Sequence, residues 1–230
     1  MNHRFYNKNE KEQKRILIAI ATCSLIIIVL SIIISIYSRI YVIGILTFAI
    51  TLSIIAPFFD MSSLKKSGRI IYCSSLFVIE KPKNSRIKIH GGTLFDYYFV
   101  IENQMNGKQR TDFIIQQYLE GLLHLLKKYE KDKRMKISGT SYIINRRTAE
   151  KIGFKIIETD FLQIIILTYN YFNILISNSI AKNKLSFPKL NNTKTFEADI
   201  GQLLERKEYI EKLNNLLKRK ILLILDKVGY

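Results

Sequence analysis

The residues whose types and spacing best fit a binding site lie in the stretch QMNGKQR, residues 104–110. Asn106-Gly107 is a turn signal, and an amphipathic segment follows it directly. Backbone amides at the start of a helix carry partial positive charge and bind phosphate, and the two cations of this stretch would add full charges. The alternative interpretation of the same residues is a plain turn before a helix. If the stretch is a binding loop, its ligands are Gln104, Gly107, Lys108 and Arg110.

Other residues with chemical potential form no complete catalytic set. The HGG triplet at 90–92 resembles an oxyanion loop of esterases, but no G-x-S-x-G nucleophile motif accompanies it. A two-residue hairpin turn explains its glycines. Cys23 and Cys73 lack the spaced partners of a metal site. No disulfide is expected between them, because Cys23 lies in a long apolar run and Cys73 in a predicted strand, at different depths. His124 is interpreted as a structural histidine, and no metal site is predicted.

Strand and helix patterns alternate between residues 68 and 159. Runs of β-branched and aromatic residues predict strands, and apolar residues at three- and four-residue spacing predict a helix. The predicted order is three antiparallel strands (68–81, 86–90 and 93–101), a helix from Thr111 or Asp112 to about Lys131, a strand (136–145), a short helix (146–152) and a strand (154–159).

This order resembles the middle of the fold of the GNAT acyltransferase family, over residues 68–159. In that family a loop of the pattern Gln/Arg-x-x-Gly-x-Gly/Ala joins a strand to a helix, and its amides hold the pyrophosphate of acyl-coenzyme A. Residues 104–107 match the first four positions of that pattern. Gln109 departs from it, because it brings bulk where the family has Gly or Ala and the backbone must approach closely.

The resemblance extends past the following strand. There the family shows an asparagine, then an alanine and a Gly-Phe pair, and this sequence has Asn145, Ala149, Gly153 and Phe154. The helix before Gly-Phe is about one turn shorter than usual and lacks the tyrosine that often serves as general acid. The resemblance implies acyl-coenzyme A as a candidate cofactor, Asn145 as a further site residue, and Glu102 or Asp96 as the base.

Two long apolar runs precede all of these elements. Residues 16–37 and 40–59 contain no charged side chain, and about 20 apolar residues are enough to cross a hydrocarbon core of roughly 30 Å. Only Ser38 and Arg39 separate the runs, which therefore predict a tight transmembrane helical hairpin. A cleaved signal peptide is a poor alternative, because the first run is too long and no small-residue cleavage site follows.

Basic residues set the predicted orientation. Residues 1–15 and the segment after residue 59 are rich in Lys and Arg, whereas the loop between the runs offers only Arg39. The positive-inside rule then predicts a multi-pass protein of the cell inner membrane with both termini cytoplasmic. The predicted organisation is a basic N-terminus (1–15), the hairpin (16–59) and a cytoplasmic domain (60–230). The fold class is α+β, a mixed antiparallel sheet with flanking helices.

Two later segments also bear on the membrane. Residues 161–180 carry no charge, but their polar residues fall on one helical stripe (Gln163, Asn170, Asn173 and Ser177). Such a stripe favours a helix packed on a sheet or lying in the interface over a third span. A last helix, basic and amphipathic, is predicted from Thr195 to about Leu225. It suits anionic headgroups, although an ordinary solvated face is the alternative.

The net charge of +17 over 230 residues favours an anionic partner. The first hypothesis is a membrane-tethered sensing or binding domain that recognises an anionic lipid, a nucleotide, a protein partner or a second copy of itself. The alternatives are a membrane-bound acyl-coenzyme A-dependent acyltransferase and a two-helix membrane-disrupting effector of a bacterial antiviral defence system. Nucleic acid is a weaker candidate, because much of the charge flanks the spans.

Overall fold

The computed structural model describes residues 2–141 and 146–225. The helices in these ranges are α1 (Glu10–Ser38), α2 (Tyr41–Lys66), α3 (Leu94–Val100), α4 (Gly107–Tyr129), α5 (Arg146–Lys151), α6 (Phe161–Tyr169), α7 (Tyr171–Lys182), α8 (Ile200–Glu205) and α9 (Lys207–Leu225). The strands are β1 (Ile70–Ser74), β2 (Phe77–Glu80), β3 (Arg86–Gly91), β4 (Lys136–Ser141), β5 (Lys155–Ile157) and β6 (Lys194–Asp199).

Helices α1 and α2 form the hairpin that the two apolar runs predict. The Asn9 side chain caps α1, and Arg39 ends it in the left-handed conformation with φ 58°. Both helices are long and apolar enough to cross a membrane. Pro57 lies inside α2, which continues beyond the predicted end of the apolar run at residue 59 as far as Lys66.

The sheet has six strands in the order β1-β2-β3-β4-β6-β5. Strands β3 and β4 are parallel, and every other neighbouring pair is antiparallel. The prediction of an α+β fold with a mixed sheet is confirmed. Apolar residues of the strands and of α4, α5, α8 and α9 form the main core, which includes the fully buried Ile79, Ile87, Leu125, Ile137 and Leu203.

The first predicted strands are partly wrong. Residues 68–81 fold as two strands, β1 and β2, with a turn between them, and these two form the three-stranded antiparallel unit together with β3. Residues 93–101, predicted as a strand, form α3. A capping box between Thr93 and Asp96 starts this helix, and apolar residues around its circumference are buried. Burial on several sides overrides the strand propensity of the aromatic residues.

The double glycine is consequently not a hairpin turn. Gly91 is the last residue of β3 and pairs with Phe77 of β2. A Cβ on Gly92 would lie 2.9 Å from the Leu76 side chain. The glycine at position 92 therefore permits α3 to pack closely against the end of β2.

The C-terminal prediction is wrong at its start. Residues 194–199 form β6, which pairs with both β4 and β5. The helix begins at Ile200, where Asp199 and Gln202 form a capping box, and it is interrupted at Arg206 before α9. Helix α4 starts at Gly107, earlier than predicted. Strand β4, the short helix α5 and strand β5 match the predicted order, although residues 142–145 of the predicted strand lie outside the described residues.

The N-terminal segment packs into the domain rather than standing apart from it. Phe5 is fully buried in a cluster with Phe58 and Met61 of α2, Val78 of β2 and Phe95 of α3. The predicted domain boundary between residues 59 and 60 falls inside this cluster. The hairpin and the sheet domain therefore share a core.

Candidate functional site

The backbone amides of the 104–110 stretch are occupied by its own side chains. The Asn106 side-chain oxygen accepts hydrogen bonds from the amides of Lys108 and Gln109, both at 3.1 Å. The Gln109 side chain accepts from the Asn106 amide at 2.7 Å. These bonds form a capping box at the start of α4. A phosphate would have to displace the Asn106 side chain to reach the same donors.

Two further residues of this stretch, Gly107 and Arg110, contact the end of α7. A Cβ on Gly107 would lie 2.3 Å from the Lys182 carbonyl oxygen, so the glycine permits close contact with the end of α7. The buried Arg110 guanidinium donates to the carbonyls of Met105 at 2.8 Å, Asn103 at 3.1 Å and Ile180 at 2.7 Å. Three backbone acceptors therefore use this side chain.

The other predicted site residues do not form a complete site among the described residues. Gln104 and Lys108 are exposed, and Asn145 lies outside the described residues. Helix α3, not a strand, precedes the stretch, so the strand–loop–helix arrangement that the GNAT resemblance implies is absent at residues 94–110. Of the two candidate bases, Glu102 is partly buried and Asp96 is fully buried.

Asp96 is the centre of a buried polar cluster that joins the N-terminal segment to the sheet. Its Oδ1 accepts from the Tyr72 hydroxyl at 2.7 Å and lies 3.3 Å from His3 Nε2. Its Oδ2 accepts from the amide and the hydroxyl of Thr93 at 2.7 and 2.9 Å. His3 and Asp96 are both 0% exposed. The carboxylate thus holds four donors from three separate parts of the chain.

Burial and the Asp96 charge raise the pKa of the tyrosines in this cluster. Burial, followed by the charge of Asp96, raises the pKa of Tyr72 far above its ordinary value. Burial also raises the pKa of Tyr6 to about 12, with a further contribution from Asp96. The Lys65 ammonium of α2 lies 3.3 Å from the centroid of the Tyr6 ring. A cation over an aromatic face is attracted to the ring quadrupole.

Tyr72 also borders a cleft of about 370 Å³ between β1, α4 and α9. Its polar lining comprises Asn2, Tyr72, Cys73, Ser74, Ser75, Gln116, Gln117, Glu120, His124 and Lys218. Phe113, Ile221 and Leu222 supply its apolar lining. Polar side chains therefore outnumber apolar ones in the lining of this cleft. We refer to it as the α4–α9 cleft.

Helix α4 supplies the groups that close the free edge of β1. His124 Nδ1 lies 2.6 Å from the Cys73 carbonyl oxygen. A carbonyl only accepts, so Nδ1 carries a proton and donates it to this bond. Burial raises the pKa of the Cys73 thiol to about 11, although the charge of Lys128 lowers it. The thiol is therefore protonated at neutral pH and is a poor nucleophile.

A chain of amides fixes the acid of this cleft. Glu120 accepts hydrogen bonds from the side-chain amides of Gln116 at 3.1 Å and Gln117 at 2.9 Å. The Gln116 amide also donates to Asn214 of α9 at 3.2 Å, and Gln117 accepts from the Ser75 amide at 2.9 Å. The Glu120 carboxylate is thus held by two donors, while Lys218 and His124 remain the basic groups of the lining.

Sequence reasoning missed both the buried cluster and the cleft. Asp96 lies 93 positions from His3 and 24 from Tyr72, so no local spacing could reveal their association. His124 and Glu120 are four residues apart on one helix, and this spacing was the one available signal. Among the described residues, no group of three or more His, Cys, Asp or Glu side chains could hold a metal ion.

Comparison with known proteins found no matching family model, no matching curated protein and no matching solved structure. What the geometry defines is an α+β protein with a mixed six-stranded sheet and two N-terminal helices that are long and apolar enough to cross a membrane.

Proposed function

We propose that this chain is an integral membrane protein that holds a basic domain at the cytoplasmic face of the inner membrane, where the domain binds a phosphate-bearing ligand. The outward faces of α1 and α2 carry this proposal. Their exposed side chains are mainly large and apolar, and Ile18, Leu30, Ile36, Val42 and Leu46 are each more than half exposed. A contiguous surface of this kind is stable against hydrocarbon and unstable against water.

The contact between the two helices supports the same proposal. The buried positions of the hairpin include small residues, namely Ser24, Ser31 and Ser35 of α1 and Gly44, Thr51 and Ser53 of α2. Small residues allow close approach of helices where hydrocarbon surrounds them. The serine hydroxyls donate to nearby backbone carbonyls, as Ser24 does to Ile20 at 2.8 Å. No hydroxyl of these serines then needs water.

The core that the hairpin shares with the domain supports placement of the whole domain on one side of the membrane. The start of α1, at Ile16 and Leu17, and the end of α2, at Met61 and Leu64, pack into the same apolar cluster. The Arg39 turn lies at the opposite end of both helices. With the basic residues concentrated at the domain end, the positive-inside rule assigns the domain to the cytoplasm.

The α4–α9 cleft is the proposed ligand site. Lys218 and His124 line it, the Lys128 charge acts on neighbouring Cys73, and the one carboxylate of the lining is already held by two amides. Tyr72 connects this cleft to the hairpin, since Lys65 of α2 lies 5.5 Å from its ring centroid. The cleft therefore lies close to the end of α2, where headgroup phosphates would lie. A free nucleotide presents the same phosphate chemistry.

Membrane fractionation tests the anchor. The full chain should sediment with membranes, resist extraction by alkaline carbonate and be released by detergent. Recovery of the intact chain in the carbonate supernatant would overturn the proposal.

Titration of the detergent-purified full chain tests the ligand. Two probes, soluble short-chain phosphatidylglycerol and ADP, separate a lipid headgroup from a nucleotide. Lys218→Gln should weaken binding of the preferred probe by roughly tenfold, since a hydrogen bond to a charged group contributes about 1.5–3 kcal/mol. Lys212→Gln, on the same helix but outside the cleft lining, is the matched control. Binding of neither probe, or equal loss in both variants, would remove the cleft from the proposal.

A further inference from the structure

Helix α6 presents an apolar surface that the protein itself does not cover. Not one of its nine residues is buried. Its large exposed side chains are Phe161, Leu162, Ile164, Ile165, Ile166 and Tyr169. Such a continuous patch on a domain surface marks an interaction site, because it is unfavourable in water.

The end of α6 contacts α2 within the apolar part of the hairpin. Helices α6 and α7 are bent by 71° at Asn170. The Ser53 hydroxyl of α2 donates to the Tyr169 carbonyl at 3.4 Å, and the Asn173 amide donates to the Ser53 carbonyl at 3.5 Å. Ser53 precedes Phe59 by six residues, which corresponds to about 9 Å along a helix at 1.5 Å per residue. The bend therefore lies beside the apolar run of α2, not beside its polar end.

Both ends of the α6–α7 segment are attached to the sheet domain, so both lie on the same side of the membrane as that domain. Strand β5 precedes the segment and β6 follows it, and these two strands are hydrogen-bonded neighbours. At the other end of the segment, the Ile180 carbonyl accepts from Arg110 and α7 packs on α3 and α4. A segment that crossed a membrane once would place β5 and β6 on opposite sides, which their pairing forbids.

We infer that residues 161–182 form a re-entrant element, which dips into the cytoplasmic leaflet, turns at Asn170 and returns, with α6 covered by lipid acyl chains. This inference rests on the proposed membrane anchor. Acyl chains are the occupant because the α6 surface is continuous with the apolar run of α2 through the Ser53 contacts. The polar groups near the bend are satisfied within the protein, as hydrocarbon requires: Asn170 donates to the Ile166 carbonyl at 2.8 Å and Thr168 to the Ile164 carbonyl at 2.9 Å.

Single-cysteine labelling of the full chain in sealed membrane vesicles tests the inference. Cys23 and Cys73 are first replaced by alanine, and an unchanged melting temperature shows that this background folds. Cysteines are then placed one at a time at Asp160, Ile165 and Leu185, before, within and after the segment. A membrane-impermeant maleimide should label Asp160→Cys and Leu185→Cys from the cytoplasmic side. Ile165→Cys should react at least about tenfold more slowly, since hydrocarbon excludes the reagent, and should react fully in SDS.

The identity of the covering material needs a second measurement. A fluorophore attached at Ile165→Cys in detergent, before reconstitution, should be quenched by brominated lipids and not by aqueous iodide, and the reverse should hold at Leu185→Cys. Labelling of Asp160→Cys and Leu185→Cys from opposite sides would replace the re-entrant element by a full span. Rapid labelling at Ile165, or slow labelling without quenching by lipid, would place α6 in water or against protein and overturn the inference.

Failure of the anchor itself gives a different result. Tyr37, at the hairpin turn, is 93% exposed, and Tyr37→Cys should be labelled only from the side opposite to Leu185→Cys. Labelling of both from one side would reject the proposed hairpin topology, whatever the behaviour of Ile165.

Discussion

In the hairpin of α1 and α2, away from its junction with the domain, the buried residues are serine, threonine and glycine, and the exposed ones are mainly isoleucine and leucine. The core of the sheet domain is instead built mainly from leucine, isoleucine and phenylalanine. Helix α4 shows the domain's pattern clearly, since it buries Leu122, Leu125 and Leu126 and exposes Lys127 and Lys128. The hairpin and the sheet domain therefore differ in which types of side chain they bury. Hydrocarbon would tolerate the surface of the hairpin, whereas the charged surface of α4 is one that water tolerates.

The two regions meet at the cluster around Asp96, where α2, α3, β1 and the N-terminal segment converge. Here the polar groups are inside, as in the hairpin, yet large aromatic residues surround them, as in the domain. His3, Phe5, Tyr6, Phe95 and Phe99 have ring centroids 4.5–6.0 Å apart in the contacts among them. This junction fixes the hairpin to the domain.

The largest expected effect contrasts one truncation in each region. Leu126→Ala, in the domain core, should lower the free energy of unfolding by about 2–5 kcal/mol, since it leaves a cavity. Ile33→Ala, on the outer face of α1 where the side chain is 56% exposed, should change it by less than about 0.5 kcal/mol. Urea unfolding of the detergent-solubilised chain, followed by tyrosine fluorescence, measures both. Equal losses would mean that the hairpin surface packs against protein.

The junction should be nearly as sensitive as the core. Asp96→Ala removes the acceptor of four donors, and each buried donor left unpaired costs about 1–3 kcal/mol, so we expect a loss of about 2–4 kcal/mol. The same unfolding measurement applies. Asp160→Ala is the control, because Asp160 is exposed and its side chain caps no helix. A negligible effect at Asp96 would show that the hairpin and the domain are held together elsewhere.

A change inside the hairpin should cost less but should act only there. A Cβ on Gly44 would lie 3.2 Å from Ser35 Oγ, so Gly44→Leu must separate the two helices, at about 1–3 kcal/mol. The melting temperature in mild detergent, read by size-exclusion chromatography, should fall. Ile45→Leu, whose position is 67% exposed, should leave it unchanged. An unaffected Gly44→Leu variant would argue against a close contact between α1 and α2.

The smallest effect concerns alkaline pH at the junction. Burial raises the pKa of Tyr6 from 10.0 to about 12. Between these values the unfolded chain loses a proton that the folded chain keeps, so this contribution to stability is complete below pH 10 and is lost as the pH rises towards 12. The melting temperature should fall over that range, and Tyr6→Phe should make the fall shallower. Tyr98→Phe, at a 59% exposed position, should not alter the slope.

Features set by local pattern were predictable, and those set by distant contacts were not. The two apolar runs, the position of α4 and the β4–α5–β5 order follow from periodicity alone. Residues 93–101 carry the aromatic composition of a strand, but Thr93 and Asp96 cap a helix there, and a Thr-x-x-Asp pattern was the overlooked signal. Ser75 and Leu76 likewise form a turn between β1 and β2 that was not predicted from the sequence.

The candidate site was less predictable than the fold. The glycine and basic residues of the 104–110 stretch are compatible with phosphate, yet Asn106 and Arg110 make hydrogen bonds within the fold. The role of Gly107 could not be predicted from the residues next to it in sequence. A side chain at this position would clash with the backbone of Lys182, 75 positions away. Pairings at such separations depend on the assembled sheet.

The burial of His3 also has a consequence for biosynthesis. Residues 3–5 leave the ribosome well before residue 96, whereas a domain generally folds as a unit. His3 and Phe5 therefore lack their packing partners until α1, α2 and α3 have been synthesised. Packing of residues 3–5 against α3 is thus a late event, which requires that the chain beyond the hairpin has been synthesised and folded.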